Sequence, residues 1–239
     1  MIKERLLSGI KYGKTEPILV AVDSILFGVR ENGLNLLIFE REIDPFAGQW
    51  SLVGAFVGEQ ENVDDAATRV IHELTGLQNV YVDQLGCFGD ASRDPGGRVI
   101  SIAYWSLIKI DQTNDILKAN HHRAKWVAFN QRPTLVLDHD RMVEEAIQHL
   151  REKARFHPIG FELLPREFTL SQLLHVYEAI YDEKLDDRNF RKKILHSDLL
   201  IDLGKKDMTT SKKGSYLYSF DQGRYNQLLQ KGFNFDFNF

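Results

Sequence analysis

The chain has 239 residues, enough for two domains, and its 43% hydrophobic and 27% charged residues are typical of a globular protein. Its formal net charge is −4 at pH 7, and its single cysteine, Cys87, excludes an intramolecular disulfide. No apolar stretch is long enough to span a bilayer and the N-terminal residues lack a secretory apolar run, so we expect a cytoplasmic protein without a membrane partner.

The first elements along the chain are β-strands. Residues 17–29 form a long β-rich apolar run, and residues 34–39 form another after Glu31-Asn32-Gly33. Because Asn-Gly favours a tight turn, these two runs predict a β-hairpin. Further strands are predicted over residues 50–53, 80–88, 99–111 and 125–129. Helices are predicted over residues 62–75, with Asn62 or Asp64 as the cap, and over residues 139–154.

The second part of the chain begins after Pro158 and Gly160, which end the helix before them. Thr169 and Gln172 form a capping box for a helix that runs to about residue 182. A short turn leads to a second helix over residues 187–196. Strands over residues 199–203 and 215–220 follow, joined by a lysine-bearing loop, and the last seven residues alternate Phe with polar residues as a strand does. We therefore predict an α/β mixed-sheet domain over residues 1–154 and a small α+β domain over residues 155–239.

Residues 54–77 carry the most informative motif. Six of its nine defined positions, namely Glu61, Arg69, Ile71, Glu73, Gly76 and Leu77, have the residue type and spacing of a pyrophosphohydrolase signature. Ala55, Val70 and Leu74 depart from it, where the signature has Gly, Glu and Glu. The segment resembles the Nudix box, and it implies a Nudix-like fold for the first domain. A helix that only packs on a core, with this spacing by chance, is the competing interpretation.

The departures remove metal ligands. Positions 70, 73 and 74 share one face of a helix. In enzymes that this segment resembles, three carboxylates there hold Mg²⁺, which requires oxygen ligands. Valine and leucine offer none, so we expect no metal, no cofactor and no catalytic residue. The retained Arg69 and Glu73 are also compatible with a surface ion pair.

A basic helix follows the capped helix of the second part. Phe190 and Ile194 share one face, and the rest of the helix surface is basic or polar. Arg and Asn can read bases in the major groove, and Lys binds phosphate, so the pair of helices predicts a DNA-binding helix-turn-helix. The lysines after it fit a wing on the DNA backbone, although a solvated charged helix beside an ordinary hairpin is the alternative. The candidate DNA-binding residues are Arg188, Asn189, Arg191, Lys192, Lys193, Lys205, Lys206, Lys212 and Lys213.

Both parts together resemble the Nudix-related transcriptional regulators, a bacterial family with a Nudix-like domain followed by a winged helix. The segments that carry this resemblance are residues 48–52, 54–77, 93–98, 164–170 and 185–193. The resemblance implies a homodimer joined through the Nudix-like part and a near-palindromic double-stranded DNA operator. It also places the DNA-contacting helix at residues 188–193.

The same resemblance implies a small-molecule effector, because some members resemble ADP-ribose sensors and others respond to pentoses such as arabinose. A diphosphate without its metal needs cations, and the box supplies only Arg69, so we expect a neutral sugar. Trp50 and Phe56 could stack on a sugar, with hydrogen bonds from the charged residues. The candidate effector-binding residues are Arg41, Trp50, Phe56, Glu61, Glu73, Arg93 and Arg98.

Three classes of function remain open at this point. The favoured one is a DNA-binding regulator with a catalytically inactive Nudix domain. The second is an active Nudix hydrolase of ADP-ribose-like nucleoside diphosphates, for which the box lacks carboxylates. The third is a non-catalytic protein-interaction scaffold, and the lysines of the second domain argue against it.

Overall fold

The computed structural model describes residues 18–110, 124–209, 213–232 and 236–237. The first part of the chain forms seven strands and two α-helices among these residues. They are β1 (Leu19–Arg30), β2 (Gly33–Glu40), β3 (Trp50–Ser51), β4 (Val53–Phe56), α1 (Val63–Thr75), β5 (Asp83–Phe88), β6 (Val99–Lys109), β7 (Ala124–Ala128) and α2 (His139–Phe156). A short 3-10 helix, Phe129–Gln131, connects β7 to the segment before α2.

The seven strands form one mixed sheet around β1. This strand pairs in parallel with β6 and antiparallel with β2 and β4, while β5 extends the sheet beyond β6 and β3 and β7 pair with β2. Val22 and Leu26 of β1 face the α1 side, whereas Ile25 and Phe27 face the α2 side. Because the sheet is covered on both faces, β1 is apolar almost throughout, and the predicted α/β mixed-sheet architecture is confirmed.

The hairpin from β1 to β2 is confirmed, with Arg30 paired to Gly33 and Gly33 at φ +104°. The single strand predicted over residues 50–53 is wrong. The chain pairs with β2 through Trp50 and Ser51, and then with β1 from Val53 onward. Between the two pairings, the backbone N–H of Leu52 donates to His139 instead of to a strand.

The second part forms a winged helix. After a 3-10 turn at Phe161–Leu163, its elements are β8 (Phe168–Thr169), α3 (Leu170–Tyr181), α4 (Asp187–His196), β9 (Leu200–Asp207), β10 (Ser215–Phe220) and α5 (Gln222–Gln230). The three strands form an antiparallel sheet in the order β8-β10-β9. The capping box is confirmed, since Thr169 accepts from the Gln172 backbone and the Gln172 side chain accepts from the Thr169 backbone.

Three predictions for this part need correction. Strand β9 continues to Asp207, so Lys205 and Lys206 lie in a strand and not in the loop. Helix α5 was not predicted; none of its residues is fully buried, and Tyr225 and Leu228 are partly buried against the core. Of the predicted C-terminal strand, residues 233–235, 238 and 239 lie outside the described residues, and residues 236 and 237 are not in a strand.

The two parts pack against each other through α2 and α3. Their apolar side chains belong to one continuous core, which runs from Ile25 and Phe27 to Tyr177 and Phe190. Arg151 of α2 donates to the backbone oxygen of Ile180, and the Tyr181 hydroxyl donates to the backbone oxygen of Arg151. Since α2 continues to Phe156, the division between residues 154 and 155 falls in its last turn and stays a prediction. None of the described helices is long and apolar enough to cross a membrane.

Phe237, close to the end of the chain, closes this shared core. It is 3% exposed, its ring lies 6.0 Å from that of Tyr177, and its backbone N–H donates to the Arg155 oxygen at 2.9 Å. We expect Phe237→Ala to lower the free energy of unfolding by about 3 to 5 kcal/mol, because it removes a buried ring and leaves a cavity. Urea unfolding measures this change. Phe156→Ala removes a 41% exposed ring nearby and serves as the control; equal losses in the two variants would contradict the prediction.

Candidate functional site

A cleft of about 260 Å³ opens in the first domain. Strands β1, β2 and β4, helix α1 and the start of α2 contribute to its walls. Apolar side chains line part of it, including Phe39, Phe56 and Leu74. Its charged lining residues are three acids and two arginines: Asp23, Glu42, Asp94, Arg41 and Arg93. The lining is therefore both apolar and acidic, which favours a ligand with apolar faces and hydrogen-bonding groups.

The retained residues of the Nudix box brace a loop outside this lining. Arg69 donates to both carboxylate oxygens of Glu61, at 2.9 and 2.7 Å, and to Glu73 at 2.9 Å. The backbone N–H of Gly58 also donates to Glu61. The hydrogen bond from Arg69 lowers the pKa of Glu61 to about 2, with a further contribution from Gly58. Glu61 in turn raises the pKa of Arg69, so this pair stays ionised.

The box does not fit a magnesium ion. Val70 is fully buried in the core under the sheet, and Leu74 lies partly buried at the cleft. The two retained carboxylates are engaged by Arg69. Within the described ranges, no three His, Cys, Asp or Glu side chains are grouped as metal ligands. Since Mg²⁺ requires several oxygen ligands, these residues cannot supply its coordination shell.

A buried polar network forms the floor of the cleft. Asp23 of β1 is 6% exposed and accepts a 2.5 Å hydrogen bond from the Ser101 hydroxyl of β6. Arg93, which is also buried, lies 3.6 Å from Asp23 and donates two hydrogen bonds to Asp138 at 3.0 and 2.7 Å. Pairing of this kind is what allows charges to be buried, because an isolated buried ion is strongly unfavourable.

His139, the first residue of α2, completes the network. Its Nδ1 accepts from the Leu52 backbone N–H at 3.1 Å, so the proton of the neutral ring is on Nε2, which lies 3.5 Å from Asp23. Burial lowers the pKa of His139, and the nearby Asp23 and Asp138 only partly oppose this effect. The ring is therefore neutral at pH 7. Gly54 must lack a side chain, because a Cβ there would lie 2.0 Å from Oδ1 of Asp23.

The structure brings together three of the seven candidate effector residues. Arg41, Phe56 and Arg93 line the cleft, although Arg93 is engaged with Asp138 and Asp23. Trp50 lies outside the lining and has Lys125 over its ring at 4.0 Å.

Glu61, Glu73 and Arg98 are also outside the lining. The two glutamates belong to the Arg69 brace, and Arg98 donates to the backbone oxygens of Gly89 and Asp90.

Sequence reasoning missed Asp23, Ser101, Asp138 and His139. One signal was present, since Asp23 is the only charged residue in the apolar run of residues 17–29. A lone acid in a strand buried on both faces must be hydrogen-bonded or paired. Its partners could not be read from the sequence, because they lie about 70 or more positions away.

The basic helix is built as predicted, over residues 187–196. Asp186 caps it by accepting from the Asn189 backbone at 2.6 Å, while Phe190 and Ile194 are buried against the domain. Arg188, Asn189 and Lys192 are exposed, as a DNA-facing surface requires. Arg191 donates to Asp187 and to the Ser171 hydroxyl, so it ties α4 to α3. Lys193 is partly buried.

The wing lysines differ in their surroundings. Lys205 pairs with Glu167 at 3.1 Å, and Lys206 lies over the ring of Tyr216 at 4.7 Å. Lys213 is exposed at the end of the loop before β10. Lys212 lies outside the described residues. Both strand lysines are exposed, so they remain available to a polyanion beside the basic helix.

Comparisons with known proteins agree with this two-part organisation. The NUDIX domain family model matches residues 17–146, and that of the NrtR DNA-binding winged helix domain matches residues 160–220. The chain is 29% identical over 225 residues to the ADPR responsive transcriptional repressor NtrR of Acinetobacter baylyi, covering 92% of this chain and 85% of that protein. It is 34% identical over 128 residues to the ADP-ribose pyrophosphatase of Methanocaldococcus jannaschii, covering 53% and 71%.

The structure is also similar to that of Shewanella oneidensis NrtR in complex with a 27mer DNA. The TM-score is 0.72 at 30% identity, and the match covers 84% of this chain and 93% of that one. The Nudix domain of the same Shewanella protein, crystallised with ADP ribose, matches with a TM-score of 0.54 at 28% identity, covering 63% and 99%.

The neutral buried His139 predicts a pH-dependent stability. Its pKa is below its usual value of 6.5 in the folded protein, so the unfolded chain takes up a proton that the folded chain excludes. Stability from this residue is present above about pH 6.5 and falls below it, by up to about 1.4 kcal/mol per pH unit. We expect His139→Asn, which keeps an acceptor for Leu52, to flatten this dependence between about pH 6.5 and 5.5. Chemical unfolding across that range measures it, with exposed His157→Asn as the control; equal slopes for wild type and His139→Asn would refute it.

Proposed function

Because the chain belongs to the family of Nudix-related transcriptional regulators represented by NrtR, we propose that it regulates transcription from a DNA operator in response to a small molecule. The Nudix domain is the sensor, and the winged helix is the DNA-binding domain. The observation that carries this proposal is a Nudix domain whose described residues form no group of metal ligands, joined through one core to an exposed basic helix. We place the protein in the cytoplasm, where such an operator would be.

The winged helix supports sequence-specific DNA binding. Arg188 and Asn189 lie at the exposed start of α4, where recognition helices contact base edges. Lys192, Lys205 and Lys206 are positioned to contact phosphates. We propose a homodimer on a near-palindromic operator, because two copies of one winged helix then meet half-sites about 34 Å apart or a multiple of this.

The charge of the cleft supports a neutral effector. Three acids and two arginines line it, and Arg93 is engaged by Asp138 and Asp23. A diphosphate without a metal would meet net negative charge at short range, which is unfavourable in a partly buried site. A pentose such as arabinose carries no charge, and its hydroxyls can bond both the acids and Arg41. We therefore propose a sugar of this size as the effector.

ADP-ribose is the second candidate effector. The Acinetobacter relative is named as ADPR responsive, and the Nudix domain of the Shewanella relative was crystallised with ADP ribose. This chain would then have to bind the diphosphate with Arg41 as the one cleft arginine that has no acidic partner among the described residues. The similarity to the pyrophosphatase from Methanocaldococcus makes hydrolysis of ADP-ribose worth testing in this chain. Val70 and Leu74, which replace two expected carboxylates, argue for an inactive domain.

One experiment separates these possibilities. Fluorescence anisotropy measures binding of the full chain to DNA upstream of its own gene and its neighbours, without effector and with L-arabinose or ADP-ribose. Specific binding that arabinose alone changes supports the sugar sensor, and a change with ADP-ribose alone supports the second candidate. Specific DNA binding that neither compound changes supports a regulator but excludes arabinose and ADP-ribose as its effectors. Binding no tighter than to random duplex at physiological salt refutes the regulator, and Mg²⁺-dependent hydrolysis of ADP-ribose would establish the enzyme.

The exposed residues of α4 provide a sharper prediction. We expect Arg188→Ala to weaken operator binding by about 1 to 3 kcal/mol and to relax sequence preference, because a base contact is lost. Lys192→Ala should weaken operator and random DNA alike and reduce the slope of log K against log salt by about 1. Anisotropy titrations at several salt concentrations measure both effects.

Arg141→Ala is the control for these variants. It also removes one positive charge, since the Arg141 side chain on α2 is 65% exposed and pairs with Glu145. If Arg141→Ala weakened binding as much as Arg188→Ala, net charge and not the surface of α4 would determine affinity.

A further inference from the structure

Asp23 is a buried carboxylate whose two oxygens have unequal surroundings. The Ser101 hydroxyl donates to Oδ2 at 2.5 Å, and Nη2 of Arg93 lies 3.6 Å from the same oxygen. The partners of Asp23 therefore converge on one side of the carboxylate. The residue is 6% exposed, and it lines the cleft.

The second oxygen, Oδ1, is not satisfied in this way. Nε2 of His139 lies 3.5 Å from it, and across the described part of the chain no donor forms a shorter hydrogen bond to it. The backbone of Gly54 packs directly against Oδ1, since a Cβ there would lie 2.0 Å from this oxygen. Because Asp23 lines the cleft and a carboxylate oxygen only accepts hydrogen bonds, Oδ1 is an acceptor for a donor inside the cleft.

We propose that Asp23 determines the specificity of the cleft, by accepting a hydrogen bond at Oδ1 from a hydroxyl group of a neutral sugar. A hydroxyl can donate to this oxygen, whereas a phosphate oxygen cannot and is repelled by the charge of Asp23. The acids Glu42 and Asp94 on the same lining add to that repulsion. The inference rests on the proposed sensing function of the cleft, and it names the residue that selects a polyol over an anion.

The test compares ligand affinities of the full chain and the variant Asp23→Asn by calorimetry, with L-arabinose, D-ribose, D-xylose and ADP-ribose as probes. Loss of a hydrogen bond to a charged acceptor predicts a pentose affinity about 10- to 100-fold weaker in the variant. ADP-ribose should bind the variant at least as well as the wild type, because one negative charge is gone. Asp90→Asn makes the same chemical change at an exposed residue that is not in the cleft lining, and should leave pentose affinity unchanged.

Two negative outcomes have different meanings. Equal pentose affinity in wild type and Asp23→Asn, with both folded by circular dichroism, overturns the role of Asp23 but leaves the sensor intact. Absence of pentose binding by the wild-type chain overturns the sugar effector itself, and the role of Asp23 with it.

If Asp23→Asn does not fold, the role of Asp23 can still be tested on the wild-type chain. The side-chain carboxyl ¹³C resonance of Asp23, assigned through the backbone, should shift when pentose saturates the cleft. An unchanged resonance in the saturated complex overturns the proposal.

Discussion

The pairing of buried charges around Asp23 is the constraint on which the first domain depends. It joins four separate pieces of the chain, because Asp23 is in β1, Arg93 is in the turn before β6, Ser101 is in β6, and Asp138 and His139 begin α2. None of these groups could be buried alone without a large desolvation penalty. Their mutual contacts therefore fix the relative positions of the sheet and α2. The same contacts form the cleft floor, so in the proposed sensor stability and ligand recognition share one set of residues.

Helix α2 connects this floor to the DNA-binding domain. Its first residue, His139, lies at the network, and its last turns contact the winged helix through Arg151, Ile180 and Tyr181. The apolar core continues without interruption from β1 to α4. Close-packed cores transmit small displacements instead of absorbing them. An effector that alters the floor of the cleft therefore acts on a structure already joined to α4, and its effect on DNA affinity equals its differential affinity for the two states.

The Nudix box keeps residues that shape the fold, although two of its expected ligand positions are apolar. Glu61 and Arg69 still hold the loop, and Gly76 still ends α1 in a left-handed conformation at φ +75°. These positions are structural, and the sequence keeps them. Val70 adds to the buried core and Leu74 to the apolar wall of the cleft. An apolar residue in a core needs no partner, so neither side chain introduces a buried group that must be paired.

The sequence by itself determined the two-part architecture, the hairpin at Gly33, the capped helix at Thr169 and the bounds of α4. Each of these features is marked by residues within a few positions of one another. Tertiary structure alone decided the rest. The break between β3 and β4 depends on a hydrogen bond to His139, 87 residues away. Strand β8 exists only through its pairing with β10, and α5 only partly buries Tyr225 and Leu228 against the core. The floor of the cleft is likewise a product of long-range contacts, because a buried charge specifies that it needs a partner but not where in the chain that partner lies.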